Sequence, residues 1–397
     1  MLVDFIPYDP TDTMVTTSRI ERCNTVQSRI CEMLGIEYPI LAFSHQRDVV
    51  AAVSKAGGMG VLGAVALGPE ALDVELSWLE EQLGETPYGI DVIVPAHYIG
   101  DEQGGLEAKD LEAFIPQEQR DFVKELLDRY GVPELPKERE ASSGLLSWSA
   151  KGAASLLDVA LQHRPRLIAN ALGSPPPDMI KRAHDGSLIV AALAGRPEHA
   201  IKHIKAGVDI VVAQGYEAGG HTGEISTMVL VPQVVDAVSP TPVLAAGGIA
   251  SGRQMAAAMA LGAEGVWTGS VWLTTEEAET HPVVKEKFLA ATSSDTVRSR
   301  SITGKPARQL KSAWNQAWDS PDGPGPLGMP LQTMLVSEAQ LRISRAAASS
   351  PGARDLITYF VGQVVGQLNQ VKPARRVVLD MVEEYADTLA RMSEQLN

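Results

Sequence analysis

Short, nearly uninterrupted apolar runs alternate with stretches of helical periodicity along most of the chain. Eight runs stand out: Tyr38–Phe43, Gly60–Ala64, Tyr88–Val94, Arg166–Ala171, Ser187–Leu193, Val208–Gln214, Pro242–Gly247 and Gly265–Ser270. They are rich in Val, Ile, Leu and Ala, the pattern of parallel strands buried on both faces. Between them, Asp48–Ala56, Pro69–Leu83, Pro176–Ala183, Pro197–Ala206, Met228–Val238 and Gly252–Leu261 read as helices. Pro69, Pro176 and Pro197 suit first helical turns, where a missing N–H costs nothing. Eightfold strand–helix alternation predicts an α/β fold, a (β/α)8 TIM barrel. An open doubly wound sheet is the competing architecture. The lack of Gly-x-Gly-x-x-Gly after the first run weakens it as a dinucleotide binder.

Two regions depart from the repeat. Residues 97–147, between the third and fourth runs, are charged and partly helical (Gln117–Tyr130). They read as a helical insertion at the end of the barrel where strands finish. After the eighth run come further helices and a Pro/Gly-rich loop, Ser320–Pro330. The last helix, Pro373–Met392, places Val377, Val378, Met381, Val382 and Tyr385 on one apolar face. The expected organisation is a tail over residues 1–25, a barrel over 26–275 and a C-terminal helical cap over 276–397. Such a cap would cover the barrel and shape a substrate pocket.

Composition narrows the function classes. The 397 residues are 45% hydrophobic and 21% charged, enough for a large core. Lys+Arg number 34 against Asp+Glu 49, a formal charge of −15, which argues against nucleic acid or anionic membrane as partners. A local basic pocket for a phosphate is still allowed. Two cysteines, Cys23 and Cys31, are too few to staple the chain and complete no zinc pattern. Asp4, Asp9 and Asp12 stand where a signal peptide would need basic residues, and no apolar run reaches membrane-spanning length. The expectation is a cytoplasmic enzyme with a small-molecule substrate and no metal, and a homo-oligomer is compatible with the sequence.

The candidate chemistry lies at the ends of the sixth, seventh and eighth runs. Ala213–Gly223 carries Gly219, Gly220 and Gly223, which let backbone approach a flat ligand, around His221, whose ordinary pKa suits proton transfer. A solvent-facing histidine in a plain Gly-rich connection is the alternative. Ala246-Gly247-Gly248-Ile249 and Thr268-Gly269-Ser270 stand where (β/α)8 barrels often bind phosphate, and the Gly252–Leu261 helix presents an N-terminus to an anion. Tight packing at the barrel top is the alternative there. Together the two clusters fit riboflavin 5′-phosphate better than a dinucleotide.

Several segments resemble the nitronate monooxygenase family, also called 2-nitropropane dioxygenase-like. The strongest is Gln214-Gly215-Tyr216-Glu217-Ala218-Gly219-Gly220-His221-Thr222-Gly223. Others are Tyr38-Pro39-Ile40-Leu41, residues 51–60, Gly247-Gly248-Ile249, Leu261-Gly262-Ala263 and Ser301–Arg308, so the likeness covers most of 25–370. The resemblance implies an FMN flavoprotein on a TIM barrel. It makes His221 the catalytic histidine beside the flavin, brings Gly219 and Gly220 close to the ring, and gives Gln214 a hydrogen bond to it. It assigns the phosphate to Gly247, Gly248, Gly269 and Ser270. The implied reaction is oxidation of a nitronate, nitroalkane or similar stabilised carbanion with O2 as acceptor. A second reading is NAD(P)H-dependent reduction of an enoyl thioester, and a third a flavin-binding protein without turnover.

The chain departs from the family pattern at three places. The usual Ala-Pro-Met after the first strand is Phe43-Ser44-His45, placing Phe43 and Ser44 by the cofactor and His45 by the substrate. The flavin-contacting asparagine is Asp91, which is ionised beside the ring, protonated, or turned to a new partner. Ser270-Val271-Trp272 replaces Thr-Arg-Phe and removes a cation near the phosphate. His45 and Arg47 read as pocket residues or a polar turn. Lys305 and Arg308 read as contacts to an anionic substrate or as surface. His199 and His203 read as a solvated helix face rather than a metal pair, and Trp314 and Trp318 as core packing.

Overall fold

The computed structural model describes residues 28–65, 67–92, 111–135 and 150–396. The eight apolar runs become strands β1 (Ile40–Ser44), β2 (Met59–Gly63), β3 (Gly89–Val92), β4 (Leu167–Asn170), β5 (Ile189–Ala194), β6 (Ile210–Gln214), β8 (Val243–Ala246) and β9 (Gly265–Thr268). A two-residue β7 (Gly220–His221) lies outside this set. The eight pair in parallel and close into one barrel, β9 returning to β1 through Ile40↔Val266 and Leu41↔Trp267. Closure leaves no sheet edge, so the open doubly wound alternative falls.

Side-chain alternation sorts each strand into two faces. Leu41, Met59, Val61, Leu167, Ala169, Ala191, Ile210, Val212, Leu244, Ala246 and Trp267 fill the barrel interior. Leu62, Ile90, Val92, Ile168, Val190 and Ala192 face outward onto the helices. Both sets are apolar, which is why the runs show no alternation in the sequence. The N-terminal helix Arg29–Leu34 adds Ile30 and Leu34 to the interior cluster, and Arg29 pairs with Glu264 at 2.7 Å. This short plug has no signature in the sequence because six residues carry little periodicity.

The helices over 69–83 and 197–206 fall where the periodicity puts them, and the others shift by one or two residues. Pro177, not Pro176, occupies the first helical turn; Pro176 is the N-cap. The helix Ala150–Gln162 before β4 was not anticipated; its Leu156, Leu157 and Ala160 pack in the cluster holding Leu72, Leu76 and Leu79. Of the expected insertion, residues 111–135 are described, with a helix over Gln117–Arg129 whose Phe122 meets Trp318 edge-on at 4.7 Å. The rest of the insertion and the tail over 1–25 lie outside the described residues. Trp314 and Trp318 are core residues, 0% and 1% exposed.

An antiparallel sheet of order β10-β11-β7, with β10 (Thr296–Ser299) and β11 (Ala307–Leu310), was also missed. Its strands hold Arg, Ser, Gln and His, so no apolar pattern marks them. The C-terminal helix runs over Ala374–Glu394, with all five expected apolar residues buried. It crosses the Gly252–Ala260 helix so closely that a Cβ on Gly252 would lie 2.2 Å from Met381 O and 2.3 Å from Tyr385 N. That helix start is therefore taken up by helix–helix packing. Gly252→Ala is expected to cost about 1–3 kcal/mol through overpacking, measured by urea unfolding. Unchanged stability would mean that the two helices are not held at this spacing.

Candidate active site

The C-terminal ends of the strands face one mouth. Outward-facing Ile90 and Val92 leave Asp91 pointing inward on β3, and the same alternation turns Phe43, Gly63 and Gln214 inward. Phe43 lies 6.5 Å from Trp267 in a stacked arrangement, and His45 packs edge-on against Phe43 at 5.1 Å. His45 Nδ1 is 2.8 Å from Gly63 O. A carbonyl only accepts, so Nδ1 carries the hydrogen and Nε2 keeps its lone pair. His45 as a whole residue is exposed, yet its ring is crowded by Phe43 and Gly63, and desolvation holds its pKa below the ordinary histidine value.

Asp91 is the unusual group. It is 4% exposed, and its Oδ1 has no hydrogen-bond partner. Burial pushes its pKa up to about 7, against one backbone hydrogen bond from Ala171 that lowers it. A carboxyl oxygen without a donor in an apolar setting favours the neutral acid.

His221 lies on β7, paired with Ala307 of β11. Its Nε2 is 2.8 Å from Thr303 Oγ1, which is 3.2 Å from Lys305 O. The Thr303 hydroxyl donates to that carbonyl, so Oγ1 accepts the His221 Nε2–H and Nδ1 keeps the lone pair. Burial, followed by the nearby Lys305 charge, lowers the His221 pKa to about 4. The ring is 6.4 Å from that of Phe360. His221 is thus half-buried and tied to Thr303 rather than free in solvent.

The glycine positions divide. A Cβ on Gly219 would lie 2.8 Å from Gly362 N, so the chain's own packing requires glycine there. At Gly220 (φ 72°) and Gly269 a Cβ would meet nothing within 4 Å. Gly247 (φ 92°) packs on Ala218, and Gly248 (φ 73°) on Glu217. Ser270 Oγ accepts the Gly362 N–H at 2.8 Å, and Glu217 O accepts the Gln363 N–H at 2.9 Å. The segment 361–363 thus ties the β6 loop to the end of β9, a link across the chain that local sequence carried no sign of.

Other expected residues sit elsewhere. Ser44 shares the outward face of β1 with Ala42, and its Oγ accepts the Gln46 N–H at 3.1 Å. Arg47 lies over the Trp78 ring at 4.6 Å and pairs with Glu75, so the polar-turn reading holds for it. Arg308 is neither surface nor free for substrate: it is 2% exposed and donates twice to Tyr216 O. Lys305 is exposed. His203 is not solvated, being 2% exposed with Nε2 on Leu193 O and Nδ1 on Ser174 Oγ, so both ring nitrogens are in use. Thr303 had not been singled out, although it stands inside the family-like segment 301–308.

The closed (β/α)8 barrel thus carries at its C-terminal mouth His221 and Asp91, each shifted by burial towards its neutral form. The nitronate monooxygenase family model matches residues 27–384. The chain belongs to that family and is an oxidoreductase of the flavin-dependent kind. A Mycobacterium tuberculosis protein provisionally named a monooxygenase is 65% identical over 370 residues, covering 92% of this chain and 98% of that protein. Among solved structures, nitroalkane oxidase from Streptomyces ansochromogenes superposes with a TM-score of 0.75 at 26% identity, covering 91% of this chain and 99% of that one. FabK from Thermotoga maritima gives 0.70 at 27% identity, covering 94% and 100%. Among the described residues no helix is long and apolar enough to cross a membrane.

Asp91 supplies a test of this electrostatic picture. Its folded value of about 7 lies above the ordinary 3.8, so the native state holds the proton more tightly than the unfolded chain. Stability from this group is full below about pH 4 and is lost as pH rises towards 7. Asp91→Asn keeps the shape and cannot ionise. Its stability relative to the parent should therefore grow between pH 4 and pH 8. The expected gain is on the order of a few kcal/mol, because each tenfold difference in proton affinity is worth about 1.4 kcal/mol. Urea unfolding at both pH values measures it. A difference that stays constant would show that Asp91 does not hold a proton at neutral pH.

Proposed function

We propose that the protein is an FMN-dependent oxidoreductase that oxidises a nitroalkane, its nitronate or a similarly stabilised carbanion, with O2 as the electron acceptor. The observation that carries this reading is His221 at the barrel mouth with its Nε2 engaged by Thr303 Oγ1 at 2.8 Å, which leaves Nδ1 as the base, and burial favours the neutral ring. The residues present fit a flavin. Asp91 turns an unpartnered oxygen inward, and open space lies beyond Gly220 and Gly269. Phe43, Asp91, Gln214 and Gly220 would hold the ring, with Gly219 shaping the loop. Gly247, Gly248, Gly269 and Ser270 would hold the phosphate through backbone, since the Ser270 hydroxyl oxygen already accepts from Gly362. When bound, the flavin supplies two-electron redox chemistry.

The protein's own part is proton handling and charge placement. A neutral His221 can take the proton α to a nitro group, and a preformed nitronate does not require that step. Lys305 lies close enough to affect His221 and would favour the anion that proton removal creates. His221→Ala should therefore lose about 10²–10⁴-fold in kcat/KM with neutral nitroethane and far less with propyl nitronate. Activity on the nitroalkane should persist to about pH 5 and fall as pH drops through about 4. Equal losses on both substrates would remove the base role. Anaerobic mixing of the yellow protein with propyl nitronate, NADPH and NADH separates the readings. Bleaching by the nitronate supports oxidation; bleaching by a nicotinamide alone moves the case to the enoyl-thioester reductase.

A further inference from the structure

We infer that Arg298 and Arg308 are positioning residues that grip the His221 loop at both ends and set where its base nitrogen lies. The two arginines stand directly opposite each other on β10 and β11. Arg308 Nε and Nη2 donate to Tyr216 O at 3.1 and 3.0 Å, five residues before His221. Arg298 Nη2 donates to Thr222 O at 3.2 Å, the residue immediately after it. The Tyr216 ring takes both guanidiniums, with Cζ atoms 4.4 Å (Arg308) and 5.1 Å (Arg298) from its centroid. Hydrogen bonding from Arg308 leads the effects that lower the Tyr216 pKa.

Two like charges opposite each other in a sheet repel, and one of them, Arg308, is buried. Their partners are two loop carbonyls, the Thr296 hydroxyl and one ring face rather than carboxylates. That arrangement is costly as a way of stabilising a largely buried sheet, and it makes sense as a way of fixing backbone carbonyls. Between the two gripped carbonyls lie Gly219 and Gly220, which cannot fix the chain direction themselves. The hairpin that carries both arginines also carries Thr303, on His221 Nε2, and Lys305, which acts on its charge. One hairpin thus provides the placement, the tautomer and the electrostatic tuning of one histidine.

The placement stands on geometry, and only its chemical purpose rests on the function proposed above. Arg308→Lys keeps the charge and loses the two-pronged grip, and Arg298→Lys does the same at the other end. The test follows the imidazole resonances of ¹³C-histidine-labelled protein purified with its cofactor, with His221 assigned by its loss in His221→Gln. In the parent, His221 should not titrate between pH 8 and pH 5. In either lysine variant a released ring regains water, and its pKa should rise into that window, while kcat for nitroethane falls tenfold or more and KM changes by less than about twofold. Because the charge is retained, such a rise is not a Coulomb effect. If Arg308→Lys fails to fold, the half-buried Arg298 position gives the same reading. His221 remaining silent to pH 5 in every folded lysine variant overturns the inference. A moved pKa with unchanged nitroethane turnover keeps the grip and discards the function instead.

Discussion

The constraint on which the molecule depends is the need to hold a glycine-rich segment rigid above a rigid barrel. Fixing one residue's backbone costs about 1–2 kcal/mol, and glycine loses more than any other residue. The segment from Gly215 to Gly223 cannot meet that cost from its own contacts. Its neighbours supply them: Val361–Gly362 fill the space beside Gly219, and Gly195 backs onto Gly223 with its carbonyl 2.7 Å from an ideal Cβ. Glu217 reaches the start of the Thr227–Val238 helix, its Oε2 accepting the Thr227 N–H at 2.9 Å. Backbone this close to backbone leaves no room for side chains, which is why glycine recurs here.

Burial works against negative charge in the mouth built this way, although the chain carries a net −15. Burial moves Asp91 up and His221 down, and both shifts favour the neutral form. Between about pH 4 and pH 7 the site therefore favours a lone pair on His221 and a proton on Asp91. Among the described residues most acidic side chains are exposed or half-buried, where water screens them. Lys305 is exposed near His221, and its charge adds to the lowering of the histidine pKa. A low-dielectric site of this kind strengthens each remaining interaction.

The barrel was legible because one physical fact, burial of both strand faces, writes an uninterrupted apolar run eight times. The C-terminal helix was legible for a related reason, its apolar stripe at helical spacing. The candidate site was legible where glycine or histidine marked it and where a family-like segment named Phe43, Asp91 and Gln214. His221 and the glycines could be named, but Thr303, Arg298 and Phe360 could not, because each meets the loop from far along the chain. Arg308 was noticed for its charge and misread, since charge alone does not tell a buried guanidinium gripping a carbonyl from one facing substrate. His203 was misread in the same way: a histidine on a helix pattern gives no sign that Ser174 and Leu193 wait for its two nitrogens.

The departure at the end of β1 also becomes intelligible in three dimensions. Phe43 and His45 bring two rings into a mouth whose neighbouring strand ends in Gly63. A Cβ at that position would lie 2.7 Å from both Phe43 Cζ and His45 Nδ1. Any side chain on residue 63 would push the imidazole off the carbonyl that fixes its tautomer. Phe43, His45 and Gly63 are thus one steric unit spread over two strands, and Asp91 stands next to it in register with Gly63. The aromatic pair narrows the mouth on the side where the unpartnered carboxyl lies. Phe43 is itself stacked on Trp267 of β9, so the substitution at the end of β1 is built into the barrel's packing, and any change at residue 63 would be felt by the aromatic pair and by the strand that carries Asp91.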